Sequence, residues 1–338
     1  MSNPKDYTIG WICAIRTEYV AARVFLDEKH EGPEAVSPND SNDYTLGKMG
    51  KHNIVIAVLH SGEYGISTAA VVASNMLSSF PKVRFGLMVG IGGGAPSQKH
   101  DIRLGDIVVS APSDGGSGVF PYDFGDSIQQ QRFEPTGFLN QSPMVLRTAV
   151  HGLQTQHEIE GHQLEEAISN VLKRYPRLQK MYSSQTTDKL YKPRVLHPSG
   201  QQGSCDSTCS SDPSTLVSRR QRTKDEDNPA IHYGLIASAN NLMKDAVLRD
   251  ELAKEKDVLC FEMEAAGLMN HFPCLVIRGI CDYADSHKNK EWQGYAAMAA
   301  AAYTKDLLKR IAPNRVEAEK RLAMSLPEVS HYQDSVLS

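Results

Sequence analysis

A short apolar run near the C-terminus of the chain ends beside an acidic residue, and this pattern constrains the fold. The run covers residues 274–280, is rich in β-branched side chains and follows Pro273, which is typical of a buried strand. Asp282 comes two residues later, so we expect it at the carboxyl end of the strand. In open α/β sheets, ligands bind at that end of the strands. The run therefore predicts a carboxylate beside a ligand crevice.

A second acidic segment lies just before this run. Glu264 opens a stretch of good helix formers that continues to Met269, so we expect a helix whose N-terminus lies beside the same crevice. One carboxylate could then orient hydroxyl groups while the other handles a proton. An acidic residue at a strand or helix end is more often a cap or a solvated charge, and that alternative stays open for each carboxylate taken alone.

Strand and helix patterns alternate along the rest of the chain. Strand-like apolar runs occupy residues 7–14, 53–59, 85–90, 106–110 and 231–238, and helical patterns occupy residues 18–26, 68–77, 162–175 and 295–311. This order predicts βαβ units and an α/β fold with a mixed, largely parallel sheet. We expect one domain over residues 1–312 with a polar insertion at about 150–230, and a peripheral helix and tail over 313–338.

Composition and charge narrow the classes of partner. The chain has 338 residues, 41% of them apolar, and a net charge of only −4 with no clustered run of Lys and Arg. These values give no reason to expect nucleic acid or an anionic membrane as partner. The N-terminus lacks the pattern of a secretory signal, and four of the six cysteines lie in apolar strand-like segments, which favours reduced core thiols. We therefore expect a cytoplasmic protein.

The order Glu262-Met263-Glu264, apolar strand, small residue and Asp282 resembles the nucleoside phosphorylase and nucleosidase family. The resemblance implies a three-layer sandwich with helices on both sides of a twisted central sheet, a small-molecule nucleoside as ligand, no cofactor and a homo-oligomer of two or more subunits. It also implies that Asp282 protonates N7 of a departing purine. Glu264 would hold the ribose hydroxyls while Met263 packs on the sugar. Arg278, four residues before Asp282 on the same strand, could fix a carboxylate such as Glu262 or equally form a surface ion pair at the strand end.

Two further segments match the family in order. Residues 9–18 are similar to the opening strand and loop of its hydrolytic branch, where Glu18 occupies the place of the glutamate that activates water. Without the family, Glu18 is equally a first-turn helix acid. The glycine-rich segment at residues 88–95 contains Gly90, Ile91 and Gly92, and we expect a turn there whose backbone approaches the ligand closely.

The glycine-rich segment also bears on the nucleophile. Phosphorylases of the family place an arginine before this turn and a hydroxyl residue within it to hold phosphate. Met88 and Ile91 stand at those positions, and neither side chain can supply a charge-assisted hydrogen bond. The sequence therefore predicts a hydrolase that cleaves purine nucleosides to free base and ribose. A phosphorylase remains the alternative, because backbone N–H groups could still bind phosphate.

A third matching segment, residues 234–243, resembles the strand and loop that line the base pocket of the family. It makes Leu242 and Met243 candidates to flank the base, although a Leu-Met pair is usually core. Relatives similar in the turn at residues 62–65 and in the run at residues 119–125 are mostly fungal and include both solitary enzymes and N-terminal domains of larger receptor-like proteins. A catalytically silent nucleoside-sensing domain is therefore a further alternative, against which the combination of Glu18, Glu264 and Asp282 argues.

One cluster in the expected insertion could bind a metal. His197, Cys205 and Cys209 supply three ligands, one fewer than a closed structural zinc site requires. Free or transiently paired thiols are therefore favoured over zinc, and we expect no metal.

Overall fold

The sheet forms from the apolar runs that the sequence marks as strands. The computed structural model describes residues 1–325 except 113–114, 124, 127–133, 136–138, 186, 199–204, 210–211, 224 and 289. Ten strands of the described part share one sheet: β1 (Ile9–Cys13), β2 (Glu28–Lys29), β3 (Tyr44–Met49), β4 (His52–Val58), β5 (Phe85–Gly94), β6 (Ile107–Ser110), β7 (Val119–Pro121), β10 (Ile231–Ser238), β11 (Val258–Glu262) and β12 (Cys274–Asp282). Two short strands, β8 (Gly125–Asp126) and β9 (Glu134–Pro135), pair with each other.

The strand order is β11-β10-β6-β12-β5-β1-β4-β3-β2, with β7 added beside β10. Pairing is parallel around the centre, where β1 joins β4 and β5 and where β12 joins β5. It is antiparallel between β12 and β6 and along β2, β3 and β4. The predicted mixed, largely parallel sheet is thus confirmed.

Helices cover both faces of the sheet, because each strand at its centre is apolar on both sides. They are α1 (Arg16–Val24), α2 (Ile66–Ser79), α3 (Met144–Glu160), α4 (Leu164–Arg174), α5 (Gln179–Tyr182), α6 (Cys205–Thr208), α7 (Ala246–Lys256), α8 (Gln293–Arg310) and α9 (Pro313–Ala318). One core lies between the sheet and α1, α3, α4 and α8, and a second lies between the sheet and α2. The α/β three-layer arrangement is confirmed. Among the described residues, no helix is both long and apolar enough to cross a membrane.

The glycine-rich segment is strand, so the predicted turn is wrong. Strand β5 continues to Gly94, and its last residues also pair with β11. A Cβ atom on Gly90 would lie 2.2 Å from Glu18 Oε1, and one on Gly93 would lie 2.7 Å from Asp282 Oδ1. The glycines therefore make room beside an extended strand for carboxylates of neighbouring elements.

The helix predicted to begin at Glu264 is also wrong, because the segment forms only a short 3₁₀ turn over Ala265–Gly267. The Glu262 carboxylate accepts the N–H groups of Glu264 and Ala265 and so fixes this turn. A Cβ atom on Gly267 would meet the carbonyl oxygen of Ile66 at 2.2 Å. The turn therefore packs directly against the start of α2.

The stretch expected as a polar insertion at 150–230 begins within the core layer. Helix α3 and helix α4 bury one apolar face each, through residues such as Leu146, Leu153, Ile168 and Leu172. After Tyr182 the described backbone has only short elements, α6 and isolated turns, until β10 begins at Ile231. The expected peripheral helix is α9, and residues 326–338 of the expected tail lie outside the described residues.

Substitution of Gly279 tests the contact between β12 and α8. A Cβ atom there would lie 1.9 Å from the carbonyl oxygen of Ala296, which is backbone and cannot rotate away. We expect Gly279→Ala to lower the free energy of unfolding by about 3 kcal/mol. Urea unfolding measures this change, with Gly32→Ala as control, because nothing lies within 4 Å of a Cβ on Gly32. An equal effect of both substitutions would contradict the close contact.

Candidate active site

Most of the predicted site residues line one cavity of about 350 Å³. The cavity lies where β5, β11 and β12 end and where α1 begins. Its walls include the predicted residues Glu18, Ile91, Gly92, Leu242, Met243, Glu262, Met263, Glu264 and Asp282. Gly90 is not part of the lining and instead lies against the side chains of Glu18 and Arg278.

The guanidinium of Arg278 connects three carboxylates below the cavity. Arg278 is fully buried, and its Nη2 donates to Glu262 Oε2 and lies 3.6 Å from Glu264 Oε2. Its Nη1 lies 3.9 Å from Glu18 Oε1. Although burial by itself lowers the pKa of Arg278, the facing carboxylates raise it above the usual range. The predicted pair of Arg278 and Glu262 is confirmed, and three carboxylates share this one cation.

Glu18 is fixed by backbone donors as well as by Arg278. It lies in the first turn of α1, where Oε2 accepts the N–H groups of Ala14 at 2.6 Å and Ile15 at 3.2 Å. Oε1 accepts the N–H of Ile91 at 2.9 Å. Burial raises the pKa of Glu18 above its ordinary value, with Arg278 and these donors acting in the opposite direction. The result is a positioned carboxylate with increased basicity at the edge of the cavity.

The pKa of Glu264 is also raised. Burial, together with the nearby charges of Glu262 and Glu18, raises the pKa of Glu264 to about 8, against the opposing effect of Arg278. Its Oε1 accepts the N–H of Gly65 at 3.4 Å. The remaining hydrogen-bonding capacity faces the cavity, so Glu264 can bind a ligand hydroxyl.

Asp282 ends β12 and lies at another wall of the cavity. Its Oδ1 accepts from the N–H of Ala284 at 2.9 Å and from Lys288 Nζ at 2.8 Å. The Cys281 thiol donates to Oδ2 at 3.4 Å. Burial raises the pKa of the Cys281 thiol well above its usual range, which keeps the proton needed for this bond.

Sequence reasoning missed Lys288, Tyr64 and Phe261, which also line the cavity. No local sequence pattern identifies Lys288, because it reaches Asp282 only through a sharp reversal at Ala284, where φ is +51°. Tyr64 belongs to the turn at residues 62–65 that contributes to the family resemblance, and this resemblance could have identified it as a site residue. Phe261 is one residue from the acidic segment but reads as an ordinary strand residue.

The cavity offers little positive charge to an anion. Among its described lining residues, Lys288 is the one lysine or arginine, and it is paired with Asp282. Met88, at the place of the phosphorylase arginine, is completely buried in the core, and Ile91 presents an aliphatic side chain. A phosphate dianion would therefore lack a free cationic partner on the described walls.

A larger cavity of about 1040 Å³ adjoins the first and shares Leu242 and Met243 with it. It is lined by one side of α7 from Leu248 to Lys256 and by the aromatic side chains of Phe120 in β7 and Tyr122 just after it, with charged groups of both signs. The two cavities together can accept a ligand with a substituent that extends beyond the carboxylate cluster.

Comparisons with known proteins place this geometry in context. A family model described as the Phosphorylase superfamily matches residues 8–312. A nucleotide-binding leucine-rich repeat (NLR)-like protein from Hyaloscypha variabilis is 43% identical over 325 residues, which make up 96% of this chain. The chain spans only 31% of that relative.

Two bacterial proteins are more distant. An Escherichia coli protein named ATP nucleosidase Cap17 is 36% identical over 80 residues, 22% of this chain and 16% of that protein. The crystal structure of a Helicobacter pylori 5′-methylthioadenosine/S-adenosyl homocysteine nucleosidase covers 90% of this chain and 98% of its own, with a TM-score of 0.54 at 16% identity. The last comparison shows a shared fold.

Arg278→Met tests the role of the central cation. The variant would leave three buried carboxylates without it, so we expect the free energy of unfolding at pH 7 to fall by about 3–5 kcal/mol. Arg315→Met, at an exposed position, is the matched control and should change little.

The pH dependence of this loss has a defined sign. Without the cation, Glu18 and Glu264 bind protons more readily in the folded state than in the unfolded state, so acid relieves the destabilisation. The difference from the wild type should shrink as the pH falls from about 8 towards 4.5, the ordinary value for glutamate. Urea unfolding at several pH values measures this, and a difference that is constant or grows in acid would contradict the cluster.

Proposed function

The chain belongs to the phosphorylase superfamily, and from this premise we propose that it hydrolyses the N-glycosidic bond of purine nucleosides. One observation carries the proposal: Glu18, Glu264 and Asp282 line the same cavity, while the one cation on its described walls is already paired. The cavity thus has candidates for activating water, holding ribose and binding the base, but no free cation for phosphate.

The sugar is stabilised by negative charge in this proposal. Cleavage of a glycosidic bond passes through an oxocarbenium-like ribose. Three carboxylates around the single cation of Arg278 place net negative charge next to that sugar, in a buried setting where it acts strongly. Glu264 accepts hydrogen bonds from the ribose hydroxyls, and Met263 packs against the sugar ring.

Asp282 neutralises the negative charge that develops on the departing base. Asp282 holds a proton at N7 of the purine, and its partners Ala284 and Cys281 fix its orientation. Lys288 keeps a positive charge within 2.8 Å of Asp282, where it stabilises charge that develops on the departing base. This arrangement favours purines, because pyrimidines have no N7.

Water is the nucleophile in this mechanism. Glu18 takes a proton from water as the oxygen attacks C1 of the ribose, and its raised pKa suits a general base. The backbone N–H of Ile91 keeps one Glu18 oxygen at the cavity wall. A side chain at Gly90 would occupy the place of this carboxylate, which explains why that position of β5 is glycine.

The substrate class extends to purine nucleosides with a substituent at the ribose 5′ position. The name of the Escherichia coli relative, ATP nucleosidase, supports adding ATP to adenosine, inosine and guanosine in a substrate panel. The base and the glycosidic bond are the same in adenosine and ATP, so the two substrates isolate the contribution of the 5′ group.

A catalytically silent nucleoside-sensing domain is the second candidate. It is favoured by the 43% identical relative, whose name is NLR-like and of which this chain spans less than a third. Such a domain needs the ribose contact of Glu264 but has no use for a water-activating carboxylate. Tight binding of a purine nucleoside without base release would support it over the hydrolase.

Glu18→Gln tests the water-activating role. The substitution keeps the shape but removes the base, so we expect the rate of base release to fall by about 10²–10⁴-fold while nucleoside affinity changes little. Chromatography of free base and calorimetric binding measure the two effects. Glu28→Gln, on an exposed strand, is the matched control. Unchanged turnover in Glu18→Gln would exclude the role.

Asp282→Asn tests protonation of the base. We expect a loss of about 10²–10⁴-fold on inosine and adenosine, because the leaving purine loses its proton donor. A riboside with p-nitrophenol as leaving group needs no such proton and should be affected much less. Equal losses on both kinds of substrate would contradict the proposed role.

The pH profile of kcat/KM gives an independent test. Glu18 must be ionised to accept a proton, and its pKa in the folded protein is raised. Activity should therefore fall as the pH is lowered, with a midpoint above 4.5, the ordinary glutamate value. A midpoint at or below that value would indicate that an unshifted carboxyl group controls the reaction.

A further inference from the structure

We propose that His197, Cys205 and Cys209 form a zinc site outside the candidate active site. The Nδ1 atom of His197 lies 3.0 Å from Cys209 Sγ and 3.7 Å from Cys205 Sγ. All three potential ligand atoms lie within 4.8 Å of one another. The chain thus folds one imidazole and two thiols, eight and four residues apart in sequence, around a common point.

The distances and the ligand types suit zinc. Tetrahedral zinc with Zn–S bonds of about 2.3 Å and Zn–N bonds of about 2.0 Å places its ligand atoms roughly 3.5 Å apart. The separations of His197 Nδ1 from the two sulfur atoms, 3.0 and 3.7 Å, lie close to this value, so small shifts of the side chains are sufficient. Two thiolates and an imidazole favour zinc over calcium or magnesium, which prefer oxygen ligands. The two thiols release their protons to solvent when zinc binds.

His287 lies next to the three ligands but outside the group whose ligand atoms are within 4.8 Å of one another, so a shift of its side chain would be needed to make it the fourth ligand. Its ring is buried, and its centroid lies 5.9 Å from that of His197. Neither ring nitrogen of His287 has a hydrogen-bond partner in the described part of the chain. Its Nδ1 lies 3.7 Å from a carboxylate oxygen of Asp285, which is the kind of partner that orients a metal-bound histidine. Nε2 is then the nitrogen available to the ion.

The ion would join two parts of the chain. His197 donates its backbone N–H to Ser286 Oγ at 2.9 Å, and the Cys205 thiol lies 3.6 Å from the carbonyl oxygen of His287. Tyr191 stacks on the His287 ring with a centroid distance of 3.8 Å. The segment that carries the three ligands is therefore already packed on the loop that follows Asp282. Zinc would fasten this segment to the loop that also carries Lys288.

Metal analysis of the purified full-length chain tests the proposal directly. After reduction, loading with zinc and dialysis, we expect close to one zinc ion per chain by mass spectrometry, and competition with a chromophoric chelator gives its affinity. The double variant Cys205→Ser/Cys209→Ser should lose on the order of 100-fold or more in affinity. Cys274→Ala and His151→Ala are matched controls, because neither residue lies in the cluster, and both should keep the metal.

Binding of cobalt(II) in place of zinc gives an absorption signal that arises only if the cysteine thiolates bind the metal. Cobalt(II) bound by thiolates gives a sulfur-to-metal charge-transfer absorption, which we expect in the wild type, weakened in each single cysteine variant and absent in the double variant. His287→Asn should weaken zinc binding at least about tenfold, and an unchanged affinity would contradict its role as fourth ligand.

Two results would overturn the site itself. One is a reduced wild-type chain that binds zinc no more tightly than the double variant. The other is a cobalt spectrum without the thiolate band. Neither result depends on nucleoside hydrolysis, so failure of this proposal is distinguishable from failure of the proposed enzymatic function.

Discussion

The guanidinium of Arg278 is the interaction on which the candidate site depends. Three buried carboxylates cannot all stay near one another in a low-dielectric interior unless a cation compensates them. Arg278 comes from the middle of β12, so the cation is fixed by the central sheet. The glycines of β5 leave the space that the guanidinium and Glu18 occupy. The compensating charge of Arg278 and the space left by the β5 glycines therefore act together to hold the carboxylates in place.

This constraint also links the static structure to the proposed chemistry. A single cation among three carboxylates leaves excess negative charge. Burial raises the pKa of Glu18, and burial together with the charges of Glu262 and Glu18 raises the pKa of Glu264. The same charge favours a cationic sugar over a neutral one. In the proposed mechanism, the electrostatic cost of the unoccupied carboxylate cluster would therefore favour an oxocarbenium-like ribose.

The sequence predicted the α/β class and the main strands, because periodicity is a local signal. It also predicted half of the residues that line the cavity, mostly through the family resemblance. It failed where long-range packing decides the conformation. The glycines of β5 indicated a turn, but carboxylates from α1 and β12 require glycine in an extended strand. The pairing of Lys288 with Asp282 depends on the chain reversal at Ala284, and no periodicity encodes it.

The proposed zinc site is likewise only partly predictable from the sequence. His197, Cys205 and Cys209 gave three ligands in sequence, and only the fold brings His287 beside them. Residues between Tyr182 and β10 contact the segment after Asp282: His197 donates to Ser286, and Asp188 accepts from Tyr283. A zinc ion bound there would connect His197, Cys205 and Cys209 to the loop that carries Lys288.

The most direct test of the central proposal is the identity of the sugar formed from inosine, guanosine, adenosine or ATP, with and without added phosphate. The account predicts base release at the same rate in both conditions. It also predicts a free sugar, ribose from the nucleosides and ribose 5-triphosphate from ATP if the 5′ group is accepted. Ribose 1-phosphate formed only when phosphate is present would contradict the account and identify a phosphorylase despite Met88 and Ile91.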